Sequence, residues 1–350
     1  MPAFIPFYEI KSRSNVAVVD AYHPRGLTLS HWRGATQIPA LHDDVSTGIV
    51  LNAIEGQHPA LDLPFVTNNH FDIDGLLGVW AFIEPELALQ YRGILREAAL
   101  IGDFREYSPL RPYSEEALKL VCWINEVEKA HFYRPFDSSH EARDCVEKYE
   151  FFLPRIAEVL ADPDAYNSDW SSAYNRVQMD WELRRDPSRC RIEVVDSIKL
   201  TIFHLLEPIH YYALMGDTQD SDMILSIYPD NRYELEYKYT TWVDLAHREV
   251  LPRIRMEPIA RILDDQEQSG LSWQSESIMD TGPMLYLGSA SLDKSARYAH
   301  PYERQIHSSS IEPALFKQLV IDYYEEALAG IQPRVRWSWA DIHAAQRNQE

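Results

Sequence analysis

The sequence predicts an α/β fold with a parallel sheet in its amino-terminal part, and three observations predict it. Short apolar runs alternate with helical patterns over the first third of the chain, a helix-rich stretch follows from 114 to 187, and β-branched and aromatic runs return beyond 190. With 350 residues the chain exceeds one ordinary core, so two domains are expected, 1–186 and 187–350. The first is a parallel-sheet α/β domain with a helical middle segment as its extension. The second is a smaller α+β domain.

Taken in order, VAVVDA (16–21) and LTLSHW (27–32) read as strands separated by the turn YHPRG, and STGIVLNAIEG (46–56) reads as a helix. FVTNNH (65–70) is the next strand, DGLLGVWAFI (74–83) the helix after it, and AALIGDF (98–104) a further strand. Continuous apolar strands bounded by Gly, Pro and Asn suit a sheet covered on both faces. The helical middle opens at Ser114, a capping residue followed by acids, and continues through 138–163 and 171–187. Strand signals then recur in 191–206, 209–216, 222–229 and 233–245, with YPDNR (228–232) as a hairpin turn; helices are expected at 258–268 and 311–329.

Composition narrows the function. A hydrophobic share of 45% can build real cores, whereas a net charge of -21 repels nucleic acid and favours hard cations wherever acids converge. Cys122, Cys145 and Cys190 form no CxxC pair and are odd in number, which fits a reducing compartment better than a disulfide framework. The first residues lack a basic start followed by an apolar run, and no stretch approaches the roughly 18 apolar residues of a membrane span, so a cytoplasmic protein is expected.

The stretch TNNHFDIDGLLGVW (67–80) concentrates the chemistry. His70, Asp72 and Asp74 alternate where a strand passes into a helix, at the carboxyl end of the sheet where open α/β folds keep their sites. Gly75 permits a tight turn there. Capping the helix needs one such residue, and three alternate, which points to a divalent cation rather than an Asx-turn alone. His31 and Asp103 fall at strand ends by the same reading, and convergent carboxylates require a cation or a proton between them. The run His42-Asp43-Asp44 offers either a second metal site or a cap for the helix that follows. His204 and His210, in apolar aromatic runs, read as core histidines.

HFDIDG resembles the first motif of the DHH phosphoesterase superfamily, His-x-Asp-x-Asp-Gly at a strand-to-helix turn. Asp103 in IGDF is similar to the single aspartate of that superfamily's second motif. The resemblance implies that His70, Asp72, Asp74 and Asp103 hold two Mn²⁺ or Mg²⁺ ions and that the chain hydrolyses phosphodiester or pyrophosphate bonds. It covers about ten residues around the first motif; no Asp-His-His triplet and no GGGH occurs. Asp72, Asp74 and His31 are the residues expected at the reacting centre, with His31 also a ligand.

Lys238, Arg248, Arg253 and Arg255 concentrate positive charge in the second domain with Trp242 among them, the composition of a wall that would hold an anionic substrate in an inter-domain cleft. The expected partners are an anionic small molecule and a second copy of the chain, with neither nucleic acid nor membrane. No GxSxG, HExxH, P-loop or GxGxxG occurs, so serine hydrolase, zincin, nucleoside-triphosphatase and Rossmann oxidoreductase readings lack their residues. Two alternatives stay beside the hydrolase: a non-catalytic ligand-binding protein on a phosphoesterase-like scaffold, and a metal enzyme of non-hydrolytic chemistry.

Overall fold

The computed structural model describes residues 2–35, 38–132 and 141–347; the first residues of the helical stretch expected at 138–163 lie outside these. The chain is mixed α/β and divides into two units, Met1–Arg176 with Leu245–His247, and Val177–Asp244 with Arg248–Glu350. The division falls inside a helix that the sequence reading assigned whole to the first domain, because residues 177–185 pack with the second unit.

In the first unit four strands, β1 (Ala3–Phe4), β2 (Val16–Val19), β3 (Leu27–Leu29) and β4 (Phe65–Thr67), form an all-parallel sheet in the order β1-β4-β2-β3. All four residues of β2 are buried, as an apolar strand covered on both faces requires. The helices are α1 (Ser46–Glu55), α2 (Ile73–Ile83), α3 (Pro85–Gln90), α4 (Arg92–Phe104), α5 (Ser114–Phe132), α6 (Glu141–Phe152), α7 (Ile156–Ala161) and α8 (Asn167–Arg185). The chain leaves β2 for β3 on one side and later reaches β4 on the other, so the order reverses around β2. Crevices at such reversals, beyond the carboxyl ends of the strands, are where open α/β sheets bind ligands.

One element is corrected. AALIGDF (98–104) is the end of α4 and not a strand; with RGILRE in front of it, Leu95, Ala98, Ala99 and Ile101 fall on one buried helical face. Asp103 therefore stands on the last turn of a helix.

The second unit holds a six-stranded sheet, β5 (Cys190–Val195), β6 (Leu200–Leu205), β7 (Met223–Tyr228), β8 (Arg232–Tyr237), β9 (Ser272–Ser275) and β10 (Met284–Gly288), in the order β5-β6-β7-β8-β10-β9. Only β6 and β7 run parallel. The β7–β8 hairpin turns through Asp230 and Asn231, both at positive φ, which these residue types tolerate best after glycine. IHYYALMG, expected as a strand, forms α9 (Tyr211–Met215), started by the Nδ1 of His210 accepting from Tyr212 N at 3.1 Å. Further helices are α10 (Glu257–Asp264), α11 (Lys294–Tyr298), α12 (Pro313–Ala327) and α13 (Trp339–Arg347). Leu200, Ile202, Leu225 and Leu235 of the sheet pack with Ile259, Leu263, Phe316 and Val320 of α10 and α12 in one core. Among the described residues no helix is long and apolar enough to cross a membrane.

Glu267 gives this unit an acid-sensitive clasp. Burial opposes its ionisation, but donors from Ser309 Oγ (2.6 Å), Ser310 N (2.9 Å), Ser310 Oγ (2.8 Å) and Ser269 N (3.0 Å) outweigh it and hold the carboxyl down at about 2. A group depressed in the folded state stabilises above its ordinary value near 4.5 and loses that contribution as pH falls toward 2. Glu267→Gln should therefore cost stability at neutral pH, about 1–2 kcal/mol after solvent screening, and flatten the acid limb of denaturant unfolding followed from pH 6 to 2.

Candidate metal centre

Asp20 follows β2 directly, in the left-handed region at φ 49, an unusual conformation for a residue with a side chain. Its N–H donates to Leu29 O at 3.1 Å, and its carboxylate is buried. His31 lies just beyond β3, because that strand ends at Leu29, and is also buried. The Nε2 of His31 lies 3.3 Å from Asp20 Oδ1, 3.5 Å from Asp103 Oδ2 and 3.7 Å from Asp74 Oδ2. His70 occupies the loop after β4, with Nε2 3.0 Å from Asp72 Oδ2 and 3.2 Å from Asp20 Oδ2. Asp20 thus turns one oxygen to each imidazole.

The outer ends of both rings are tied. His31 Nδ1 lies 2.6 Å from Asp44 O, and His70 Nδ1 lies 2.8 Å from Asn69 Oδ1. Both partners are acceptors, so Nδ1 carries the proton in each ring and Nε2 faces the acids, the arrangement that outer partners impose on histidine metal ligands.

The acids serve the helices as well. Asp72 caps α2, its Oδ1 accepting from Gly75 N at 2.8 Å, and its Oδ2 remains for His70. Asp74 accepts from Ser46 N and Thr47 N, each at 2.7 Å, so the positive end of α1 holds this carboxylate in place. The cap and the cation readings of this stretch are therefore not exclusive. Ser46 Oγ (2.8 Å) and Trp32 Nε1 (3.1 Å) donate to Asp20 Oδ1. Asp103 reaches the cluster because Gly102 lets α4 approach α2; a Cβ there would lie 2.5 Å from Ile73 Cβ. Among the described residues Asp103 Oδ2 has no hydrogen-bond partner, although it is buried.

Burial and the mutual charges of these acids and imidazoles shift their ionisation. Burial, then the charge of Asp20, pushes Asp74 up to about 7; burial, offset in part by His31 and reinforced by Asp74, raises Asp103 well above the carboxylate range. His31 is raised to about 10, since the Asp20 hydrogen bond and the charges of Asp103 and Asp74 outweigh burial; His70 rises likewise through Asp72 and Asp20. Asp20 itself is held low because hydrogen bonds from His31 and His70 exceed the cost of burying it. Protons on the imidazoles do here what a cation would do.

The fit to a cation can be tested on these distances. Ligands about 2.1 Å from one ion stand roughly 3.0–3.4 Å apart in octahedral or tetrahedral sets, close to the separations around the two Nε2 atoms. Among the described residues two groups place one ligand atom each within 4.8 Å of the others: Asp20, His31 and Asp74, and Asp20, His70 and Asp72. Imidazole nitrogen with carboxylate oxygen suits Mn²⁺, Mg²⁺ or a similar divalent ion.

His31, His70, Asp72, Asp74 and Asp103 therefore come together as one cluster. Asp20 was not singled out, although VAVVD places it at a strand end by the very rule that found His31. His42, Asp43 and Asp44 supply no ligand to these groups: Asp43 pairs with Arg96 at 2.7 Å, and Asp44 accepts from Ala246 N (2.6 Å) and His247 N (3.0 Å). The proposed anion wall needs correcting. Lys238 is fully buried with Nζ 2.6 Å from Thr218 O, and Arg253 is fully buried among main-chain carbonyls. Both charges serve the fold and face no solvent. Trp242 packs on Trp339 at 4.9 Å, and Arg248 is half-buried near the carboxylate of Asp222.

Gly75 is a second steric requirement, since a Cβ would lie 2.1 Å from Asn68 Nδ2 and 3.0 Å from Asp72 Oδ1. Asn68 Oδ1 accepts from His70 N at 3.2 Å, so moving Asn68 moves His70. Gly75→Ala should lose about 1–3 kcal/mol in denaturant unfolding and weaken Mn²⁺ binding in a calorimetric titration.

The chain belongs to DUF6687, a family of unknown function whose model matches residues 1–335. No curated protein and no solved structure matches it.

Proposed function

We propose that this member of a family without an assigned activity is a metal-dependent hydrolase of the DHH phosphoesterase-like type, holding two Mn²⁺ or Mg²⁺ ions and acting on a phosphorylated small anion. The observation that carries the metal reading is Asp20, with one carboxylate oxygen toward His31 and the other toward His70, each ring aimed inward by an outer acceptor. His31, Asp74 and Asp103 would complete one position, and His70 with Asp72 the other. The class of reaction rests on the likeness of HFDIDG to the phosphoesterase motif.

Bound cations supply Lewis acidity toward a phosphoryl oxygen and neutralise charge that develops during displacement. The residues do the rest. Four carboxylates converge here, so an anion can approach only once their charge is balanced. Asp72 and His70 are the more open members, about a third and a quarter exposed in their side chains, whereas Asp20, Asp74 and His31 are sealed. Substrate would therefore enter from the His70 and Asp72 side, and the sealed side would keep water and competing ligands away.

The test is metal analysis of protein purified without chelator, followed by turnover of bis(p-nitrophenyl) phosphate and of pyrophosphate with added Mn²⁺ or Mg²⁺. Cation-dependent hydrolysis that a chelator abolishes supports the reading. A wild type that binds neither cation sinks it, and one that binds them but cleaves neither probe confines it to a metal-binding protein.

A further inference from the structure

We propose that β5 is a self-association edge, pairing antiparallel with β5 of a second copy about a two-fold axis at Ile192. This strand ends the six-stranded sheet and has β6 on one side only. Leu206 N donates to Arg189 O at 3.2 Å, in continuation of the β5–β6 register. Residues 191, 193 and 195 therefore turn their main-chain groups toward β6, and 190, 192 and 194 turn theirs outward. Cys190 N is already used, donating to Asp186 O at 2.9 Å. The main-chain groups of Ile192 and Val194, with Cys190 O, form the outward edge.

The side chains favour covering that edge. Ile192 is 45% and Val194 57% exposed, on a strand without the proline by which exposed edges are often blunted. Three two-fold registers bring outward groups opposite each other, and charge selects among them. Centring on Glu193 or on Arg191 sets like charges face to face across the axis. Centring on Ile192 sets Arg191 opposite Glu193 of the second copy, twice, in the pairs whose side chains stand closest.

In that register Ile192 exchanges two hydrogen bonds with its counterpart, and each Val194 N donates to Cys190 O of the other copy. The apolar side chains of Ile192 and Val194 then continue one sheet face across the axis. Within one chain Arg191 Nη1 already lies 2.5 Å from Glu193 Oε1, and Lys317 Nζ lies 2.8 Å from Glu193 Oε2. The joined strands would alternate cation and anion without a like pair.

The experiment is sedimentation of the full chain over a concentration series, with and without Ile192→Lys, Arg191→Glu and the double change Arg191→Glu with Glu193→Arg. A monomer–dimer equilibrium weakened at least tenfold by either single change and restored by the double change is the expected result. A wild type that is monomeric throughout, or a dimer indifferent to Ile192→Lys, overturns the proposal; a partner of other chemistry on this edge would give the first of these. Because Glu193 also holds Lys317, a geometric readout accompanies the swap. Ile192→Cys should form a covalent dimer under mild oxidation, its Cα atoms about 5.5 Å apart across the axis, while Ser188→Cys should not. Failure of Ile192→Cys to cross-link, or equal cross-linking of the two, also overturns it.

Discussion

Asp20→Asn should abolish divalent-cation binding at both positions, whereas His70→Ala should remove one ion and leave the other. The difference follows from position. Asp20 Oδ1 faces His31 and Oδ2 faces His70, while the Nε2 of His70 lies 3.2 Å from Asp20 Oδ2 and 3.0 Å from Asp72 Oδ2. An amide presents one acceptor where the carboxylate presents two, and its NH₂ would point at an imidazole or at an incoming cation. Metal content after equilibration with Mn²⁺ and removal of excess ion gives the stoichiometry directly.

A second readout is thermal. A ligand at 100 times its dissociation constant stabilises the folded state by about 2.7 kcal/mol, so Mn²⁺ should raise the wild-type melting temperature and leave Asp20→Asn unmoved. Without metal the variant should already be weaker by about 3–5 kcal/mol, the usual cost of removing one partner from a buried ion pair, because Asp20 is the carboxylate shared by both imidazoles. Undiminished metal content in Asp20→Asn would mean that the acids and imidazoles merely neutralise one another.

How much of this centre could be read in advance depended on how far apart its parts lie in the chain. His70, Asp72 and Asp74 were legible because an imidazole and two carboxylates alternate within five residues. His31 followed from strand-end logic, and β3 does end just before it. Asp103 was found by the same logic for a wrong reason, since its segment is helical and reaches the cluster through close contact at Gly102. A seven-residue window around AALIGDF cannot separate a buried strand from a buried helix, and the preceding RGILRE supplies the period. Asp20 was within reach of the same strand-end rule, yet a single aspartate after VAVV lacks the alternation that marks residues 70, 72 and 74. Its significance lies in the left-handed turn and in partners 11 and 50 residues away.

The parallel first sheet and the β7–β8 hairpin were legible from their apolar runs, whereas 191–206 read as one run although it holds both β5 and β6, and β9, with sequence SWQS, carries little strand signal and exists through its pairing with β10. Nor does sequence distinguish an arginine that waits for substrate from one that ties the fold.

That last distinction makes Arg253 the second strong test, with the effect expected on stability and not on ligand binding. The guanidinium is fully buried in the second unit, donating from Nε to Thr241 Oγ1 at 2.7 Å, from Nη1 to Ile278 O at 2.9 Å, and also to Asp280 O and Thr281 O. Tyr237 and Trp242 lie 5.8 and 5.6 Å from its charge, and Gln346 donates to its main-chain oxygen at 3.1 Å. The side chain thus ties Thr241 to Ile278, Asp280 and Thr281, and the main-chain oxygen of Arg253 holds Gln346.

Arg253→Met keeps much of the volume but strands several acceptors, each worth about 1–3 kcal/mol when left buried and unsatisfied; with relaxation the expected loss is about 3–5 kcal/mol in denaturant unfolding. Arg253→Lys should recover little, since one ammonium on a flexible stem cannot span carbonyls that a planar fork reaches from several nitrogens. Mn²⁺ stoichiometry, which depends on residues 20, 31, 70, 72, 74 and 103, should stay at the wild-type value in any Arg253 variant that folds. A variant with normal stability and selectively weakened binding of a phosphorylated anion would restore Arg253 to the substrate wall that its sequence neighbourhood first implied.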